Sequence, residues 1–277
     1  MMRIAARSTA IDAYRVLFFH LGTFCRLAGG WMACLLGCIL VRMVAWPQSI
    51  GLLLLLITLA GLAVFSAAFS VNWYRALLDE EPAPDLVPLT LGGRELHFLA
   101  YQSAIALVPG IPLLMLVMLL HADAWWAEAL TIVHGGSLAL MPTLRLLAGF
   151  AFSIPASIAA TIILPRLMIV LPAVATDVSG PLLAPLWQHS RGNTAPILYG
   201  WLACVLPPLG LWAVLSFELT GALDGLAQPI VELIAYVCWF LALALSGGFL
   251  CQVYAQLTTG KASSPDAAAL GRRVAAE

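Results

Sequence analysis

The sequence predicts an all-α integral membrane protein with six transmembrane helices, and three observations carry that expectation. Hydrophobic residues make up 62% of the chain and charged residues 10%, a balance outside the range of soluble domains. Apolar runs recur at the roughly 20-residue length that crosses about 30 Å of hydrocarbon. Of the 13 Lys and Arg residues, ten fall in segments that a six-span reading puts on one side, the asymmetry that marks the cytoplasmic face.

Residues 1–26 form a cytoplasmic amphipathic segment. From Ser8 to Phe24 the residues Ile11, Tyr14, Leu17, Phe18 and Leu21 fall on one helical stripe, with Asp12, Arg15 and Thr23 largely elsewhere and Ser8 as N-cap. This helix is expected either in the headgroup plane or packed on the inner ends of the spans. The membrane domain covers residues 27–257. Its spans are Leu27–Trp46, Ile50–Tyr74, Leu99–Leu120, Leu146–Ala175, Ala195–Phe217 and Pro229–Leu257. Residues 129–145 contain His134, Gly135, Gly136, Pro142 and Arg145, and read as an irregular or re-entrant stretch rather than a seventh span. A seventh span would carry Arg191 to the outside and reverse the basic tail, against the charge bias. Residues 258–277 form a cytoplasmic, disordered tail.

The basic residues assigned to the inner side are Arg3, Arg7, Arg15, Arg26, Arg75, Arg94, Arg191, Lys261, Arg272 and Arg273. Arg42 and Arg145 sit near outer ends, where long side chains snorkel. Arg166 alone lies well inside a span. Both termini are therefore expected in the cytoplasm. The first apolar run does not read as a signal peptide, because it continues to Trp46 and no small-x-small cleavage pattern follows closely. Trp46, Trp73, Tyr74, Trp125, Trp126 and Trp201 lie near span ends, where amphipathic rings anchor at the interface.

Between spans four and five, Ser179 to Asn193 opens on a cap residue and an early proline and stops at Gly192. These signals predict a short helix along the inner face, with Leu182, Leu183, Leu186 and Trp187 as its apolar side.

Catalytic and metal chemistry have no sequence support. The six cysteines lie in or beside spans without a CxxC pair, so they read as small core residues. The five histidines are scattered with no HExxH spacing, and no GxSxG elbow surrounds Ser137, Ser153 or Ser157. Asp79, Glu80, Glu81 and Asp85 read as a solvated turn. No nucleic-acid partner and no cofactor are expected. Gly29, Ala33 and Gly37 form a small-xxx-small face on which another helix, of this chain or a second copy, can pack closely.

The run Pro165-Arg-Leu-Met-Ile-Val-Leu-Pro-Ala-Val-Ala-Thr-Asp177, followed by Leu186-Trp187 and Ser190-Arg-Gly-Asn193, resembles a group of uncharacterised six-span membrane proteins of alphaproteobacterial type. Asn72-Trp-Tyr-Arg75, before the acidic turn and Pro82, is similar to their Trp-His-Arg run, and Ala10 to Arg15 to their opening helix. The layout is also loosely similar to the membrane domain of some bacterial glycerophosphodiester phosphodiesterases. Tyr74 and Leu186 stand where the group often has His and Ala. No soluble catalytic domain accompanies the membrane part in these residues, so phosphodiesterase activity is not expected. The resemblance singles out Asn72, Arg75, Arg166, Pro172, Asp177, Trp187, Arg191 and Asn193 as structural or ligand positions.

Pro165 and Pro172 leave the carbonyls of Thr161 and Met168 without helical donors, so Arg166 is expected either to satisfy such acceptors or to meet an anion. Asp177 and Arg191 are expected to tie the loop helix to the base of the bundle. The resulting expectation is a non-enzymatic protein of the bacterial inner membrane that organises lipid, envelope or partner proteins, as an oligomer or with a membrane partner. The alternative is a small permease or lipid-handling transporter built on spans broken at Pro109, Pro112, Pro155, Pro165, Pro172, Pro207 and Pro208.

Overall fold

The computed structural model describes residues 4–42, 48–78, 92–108, 110, 155–156, 158–176, 187–188, 190, 192–219 and 227–259, and every regular element among them is a helix. In chain order these are α1 (Ala6–Phe19), α2 (Leu21–Arg42), α3 (Gln48–Leu78), α4 (93–108), α5 (Ile158–Ala175), α6 (Thr194–Ala213, continued by a π-helical stretch Val214–Leu219) and α7 (Ala227–Thr259). Five stretches among the described residues are long and apolar enough to cross a membrane: Leu21–Val41, Leu56–Leu78, Ile158–Ala175, Thr194–Ser216 and Gln228–Thr258. The protein is thus a multi-pass, helical membrane protein. The predicted third span, Leu99–Leu120, is described only in its first part, as α4. The 129–145 stretch, the acidic turn and the tail beyond Thr259 lie outside the described residues.

α7 is the helix on which the others assemble, touching α1, α2, α3, the last turns of α5, and α6. Hydrogen-bonded tryptophans mark its seams. The Trp73 indole N–H of α3 donates to the Ala244 carbonyl at 2.9 Å, Trp239 of α7 donates to Ser66 Oγ at 2.9 Å, and Trp201 of α6 donates to Ser246 Oγ at 2.8 Å. An indole N–H left unpaired in hydrocarbon carries a desolvation cost, so each bond also fixes a helix register. Trp73 is 1% exposed and Tyr74 is buried. These two residues, expected as interface anchors, are core residues instead. A position near a span end is a surface only where no neighbouring helix extends past it, and α7 runs on beyond Ala244 for more than three turns.

Backbone approach is closest where glycine removes the side chain. A Cβ on Gly247 would lie 2.7 Å from Trp73 Cδ1, and one on Gly200 would lie 2.4 Å from Phe249 Cε2 and 3.2 Å from the Ala6 carbonyl. Around these contacts Phe69 stacks with Trp73, Phe24 of α2 meets both rings edge-on, Trp31 stacks on Phe65 and Phe98 of α4 packs against Tyr74.

These pairings order the chain in space. Phe24 with Trp73 and Trp31 with Phe65 run α2 antiparallel to α3, while Ser66 with Trp239 and Trp73 with Ala244 run α3 parallel to α7. α6 is antiparallel to α7 through Gly200 with Phe249 and Trp212 with Trp239. One end, here called proximal, therefore holds the starts of α2, α4 and α6 and the ends of α3, α5 and α7. Arg7, Arg15, Arg26, Arg75 and Arg94 all lie toward it.

α1 corrects two expectations. It begins at Ala6 with Ala5 in the cap position and no side-chain cap, and Ser8 is inside the helix with its hydroxyl donating to the Ala5 carbonyl. Its buried stripe is Thr9, Ala10, Ala13 and Leu17, whereas Ile11 is exposed and Phe18 and Phe19 are 74% and 80% exposed. Small side chains face α6 and α7 because apolar surroundings give large ones no reason to leave the outer face. The Tyr14 hydroxyl donates to the Ala203 carbonyl and the Gln256 amide to Thr9 Oγ1, joining α1 to both helices. After His20 the chain continues into α2, so the first spanning helix begins at Leu21, six residues before the predicted limit.

Cys204, Cys238 and Cys251 are buried, as expected for core cysteines. Cys25 and Cys34 are exposed, because α2 packs through Phe24, Leu27, Ala28, Trp31, Leu35 and Ile39. Gly29, Ala33 and Gly37 are exposed as well.

Replacing Gly247 by Ala is expected to destabilise the protein by about 1–3 kcal/mol through overpacking against Trp73, read as a lowered melting temperature in detergent. Gly29→Ala, with open space around it, serves as the control and is expected to leave the melting temperature unchanged or slightly raised. His20 is partly buried at the α1–α2 junction, and burial pushes its imidazole below the ordinary 6.5. The fold therefore favours neutral His20; the unfolded chain binds the proton first, and this stability is complete above pH 6.5 and is lost as pH falls through and below it. His20→Asn is expected to flatten that part of the melting profile.

Candidate functional site

The sequence-selected positions at the start of α6 converge at the proximal end. α5 leads there as an apolar helix whose two prolines are both buried. Pro172 cannot donate to the Met168 carbonyl, and the chain passes through a turn at Ile169 before Val170–Ala175 resumes the helix. The Pro172 carbonyl accepts from both the Thr176 N–H, at 3.2 Å, and the Thr176 hydroxyl, at 3.1 Å, which closes the end of α5.

Arg166 follows Pro165 and reaches out of α5 to the next segment. Its Nε donates to Thr194 Oγ1 at 3.1 Å, and its Cζ lies 4.9 Å from the Trp187 ring centroid. A guanidinium over an indole face contributes about 0.5–2 kcal/mol, more where water is excluded. The expected contact with proline-freed carbonyls is replaced by this pair. The reason is reach: Thr194 opens α6, so the long side chain carries its charge toward the end of the bundle rather than leaving it at mid-depth. Arg166 thus joins the basic residues of the proximal end, although its Cα lies inside a spanning helix.

The turn that presents Thr194 is built from short polar contacts. Ser190 Oγ donates to the Trp187 carbonyl at 3.0 Å and the Asn193 N–H to the Ser190 carbonyl at 3.0 Å. Between them Gly192 has φ 82°, a left-handed conformation that other residues adopt at a cost. Asn193 precedes α6 yet makes no side-chain cap; its carbonyl accepts from the Ile197 N–H, and its Oδ1 accepts from the Ile4 N–H at 3.1 Å. Ile4, Ser190 and Asn193 are all buried. The N-terminal segment is thereby fastened over the turn before α6.

Asn72 and Arg75 lie on α3. Asn72 is buried on α3, its Nδ2 donating to the Ala68 carbonyl one turn back at 2.9 Å, and Arg75 is half-buried on the same helix. Asp177 and Arg191, expected to tie the loop to the bundle, lie outside the described residues, as does most of the predicted 179–193 helix. Trp187 and Gln188 within it are helical. Sequence reasoning missed Thr194 and Ile4, and quoted Ser190 only as part of the recognised run. Their signal was weak, a hydroxyl beside each recognised motif residue and an apolar residue in an otherwise basic N-terminal segment.

Beside Arg166 a narrow crevice lined by Pro165, Met168, Ile197, Leu198, Trp201 and Leu250 is wholly apolar and leaves no room for a water molecule. No group of three His, Cys, Asp or Glu side chains suited to a metal ion occurs among the described residues. The arrangement binds protein segments to one another and offers a fixed cation at the proximal end of the bundle. No family model, curated protein or solved structure matches the chain.

Asn193→Ala is expected to leave the Ile4 N–H buried without its acceptor, a local cost of about 1–3 kcal/mol. Faster tryptic cleavage at Arg7 in detergent, with α6 and α7 still protected, is the expected readout.

Proposed function

We propose that the chain is a six-span protein of the bacterial inner membrane, with both termini in the cytoplasm, that organises envelope lipid or partner membrane proteins without catalysing a reaction. The observation that carries this reading is the closure of the proximal end. Trp187, Ser190, Asn193 and Thr194, at or beside the positions that resemble the six-span bacterial group, engage Arg166, Ile4 and one another. Among the described residues, the crevice beside Arg166 is apolar and too narrow for water, which supports a packed rather than a wet surrounding for that side chain.

On this reading α4 is the start of the remaining span, running to about Leu120. The proximal end faces the cytoplasm because Arg7, Arg15, Arg26, Arg75, Arg94 and Arg166 gather there. α1 packs against the proximal parts of α6 and α7, with Ile11, Phe18 and Phe19 turned outward to lipid. The exposed Gly29, Ala33 and Gly37 face of α2 is where a second copy or a partner helix packs.

A phosphatase reporter that is active only after export, fused behind Glu277, is expected to stay inactive; activity would overturn the orientation. Arg166→Leu separates organiser from permease. Loss of stably folded protein from the membrane is the expected outcome, while normal levels with abolished solute or lipid movement would favour transport.

A further inference from the structure

Arg166 is held from two sides but neutralised from neither. Its Nε is taken by Thr194 Oγ1 and one face by Trp187, and among the described residues it forms no ion pair with a carboxylate. The two terminal amino groups keep the parallel N–H fork that matches two oxygens of a phosphate. Thr194 Oγ1 accepts from Arg166, so its own O–H proton points elsewhere and is available to an acceptor. α6 starts at Thr194, and the Asn193 side chain that would cap it is turned to Ile4 instead. The first N–H groups of a 20-residue helix therefore stand beside the guanidinium without a side-chain cap. The groups left open here are donors, so the complement is an anion.

The surroundings choose among anions. Ile162 and Ile158 lie four and eight residues before Arg166, on the same side of α5 and leading away from the proximal end, and both are exposed, at 47% and 58%. A cation at the end of an exposed apolar stripe has the layout of a lipid: phosphate at the charge, acyl chain along the isoleucines.

We propose that Arg166, with the Thr194 hydroxyl and the start of α6, is a binding site for the phosphate of an anionic phospholipid, whose chain lies along Ile162 and Ile158. The proposal rests on the lipid-organising reading above and names the headgroup chemistry it would use. Trp187 and Thr194 act as positioning residues that hold the guanidinium at the depth of the headgroups.

The test uses the full chain in a non-ionic detergent, titrated with phosphatidylglycerol, with phosphatidylcholine of the same acyl chains, or with inorganic phosphate, and followed by thermal unfolding. Phosphatidylglycerol is expected to stabilise the wild type, and phosphatidylcholine and inorganic phosphate to do so far less. Arg166→Gln is expected to weaken the phosphatidylglycerol effect about tenfold, the loss for one charge-assisted contact. Arg15→Gln, which removes an exposed cation paired with Asp12, is expected to leave it unchanged. Should Arg166→Gln fail to fold, Arg166→Lys keeps the charge without the fork and is expected to lose most of the preference. Equal stabilisation of wild type by the two lipids, or of wild type and Arg166→Gln by phosphatidylglycerol, overturns the site. Inorganic phosphate acting as well as phosphatidylglycerol overturns the lipid as occupant. Deleting the protein in cells and measuring membrane lipid separates the two ideas. Unaltered lipid with the in vitro preference intact would sink the organising role alone, and altered lipid without the preference would sink the site alone.

Discussion

Hydrocarbon offers no hydrogen-bond partner, and this constraint explains how the helices are arranged. The three indole N–H groups of Trp73, Trp201 and Trp239 each find an acceptor across a seam with α7. Satisfying them requires close approach, which Gly200 and Gly247 permit. Once α3 and α6 are set against α7, α2 packs through Phe24 and Trp31, and α1 fits its small residues against α6 and α7. The apolar side chains left outside, such as Phe18 and Leu206, cost nothing in lipid and so carry no packing information.

That same indifference of lipid to apolar surface decides what was legible in the sequence. Helical spans were readable because length and hydropathy depend only on the solvent, and the expected spans other than Leu99–Leu120 correspond to the five long apolar helices. Buried faces were not. Of the large residues read as the packing stripe of α1, Leu17 and Tyr14 do pack inward, while Ile11 and Phe18 point outward and Thr9, Ala10 and Ala13 complete the buried face. In water a hydrophobic stripe predicts a contact; in a bilayer it predicts only tolerance. Trp73 and Tyr74 failed as expected anchors for a related reason, since a position in sequence does not tell how far neighbouring helices extend.

At the candidate site the motif residues were partly legible. Arg166, Trp187 and Asn193 were selected by resemblance, and Gly192 by its stop-signal position, which its φ of 82° explains. What Arg166 touches was not readable, because Trp187 and Thr194 meet it only once the segment before α6 has been brought beside α5. Sequence counts residues along the helix, while the guanidinium of a long side chain lies beyond its Cα, at Thr194 and Trp187.

The bond between the Ile4 N–H and Asn193 Oδ1 spans 189 residues of sequence, and this separation sets an order of assembly. At a synthesis rate of about 5–20 residues per second, Asn193 is made roughly 10–40 s after Ile4. Gln256, which contacts Thr9, follows later still. α1 therefore lacks the α6 and α7 surfaces it packs on while the middle of the protein is being inserted. It waits at the membrane, its small-residue face uncovered, for α6 and α7 to arrive. The docking of α1 thus depends on helices made long after it, and its final position reports that α6 and α7 are in place.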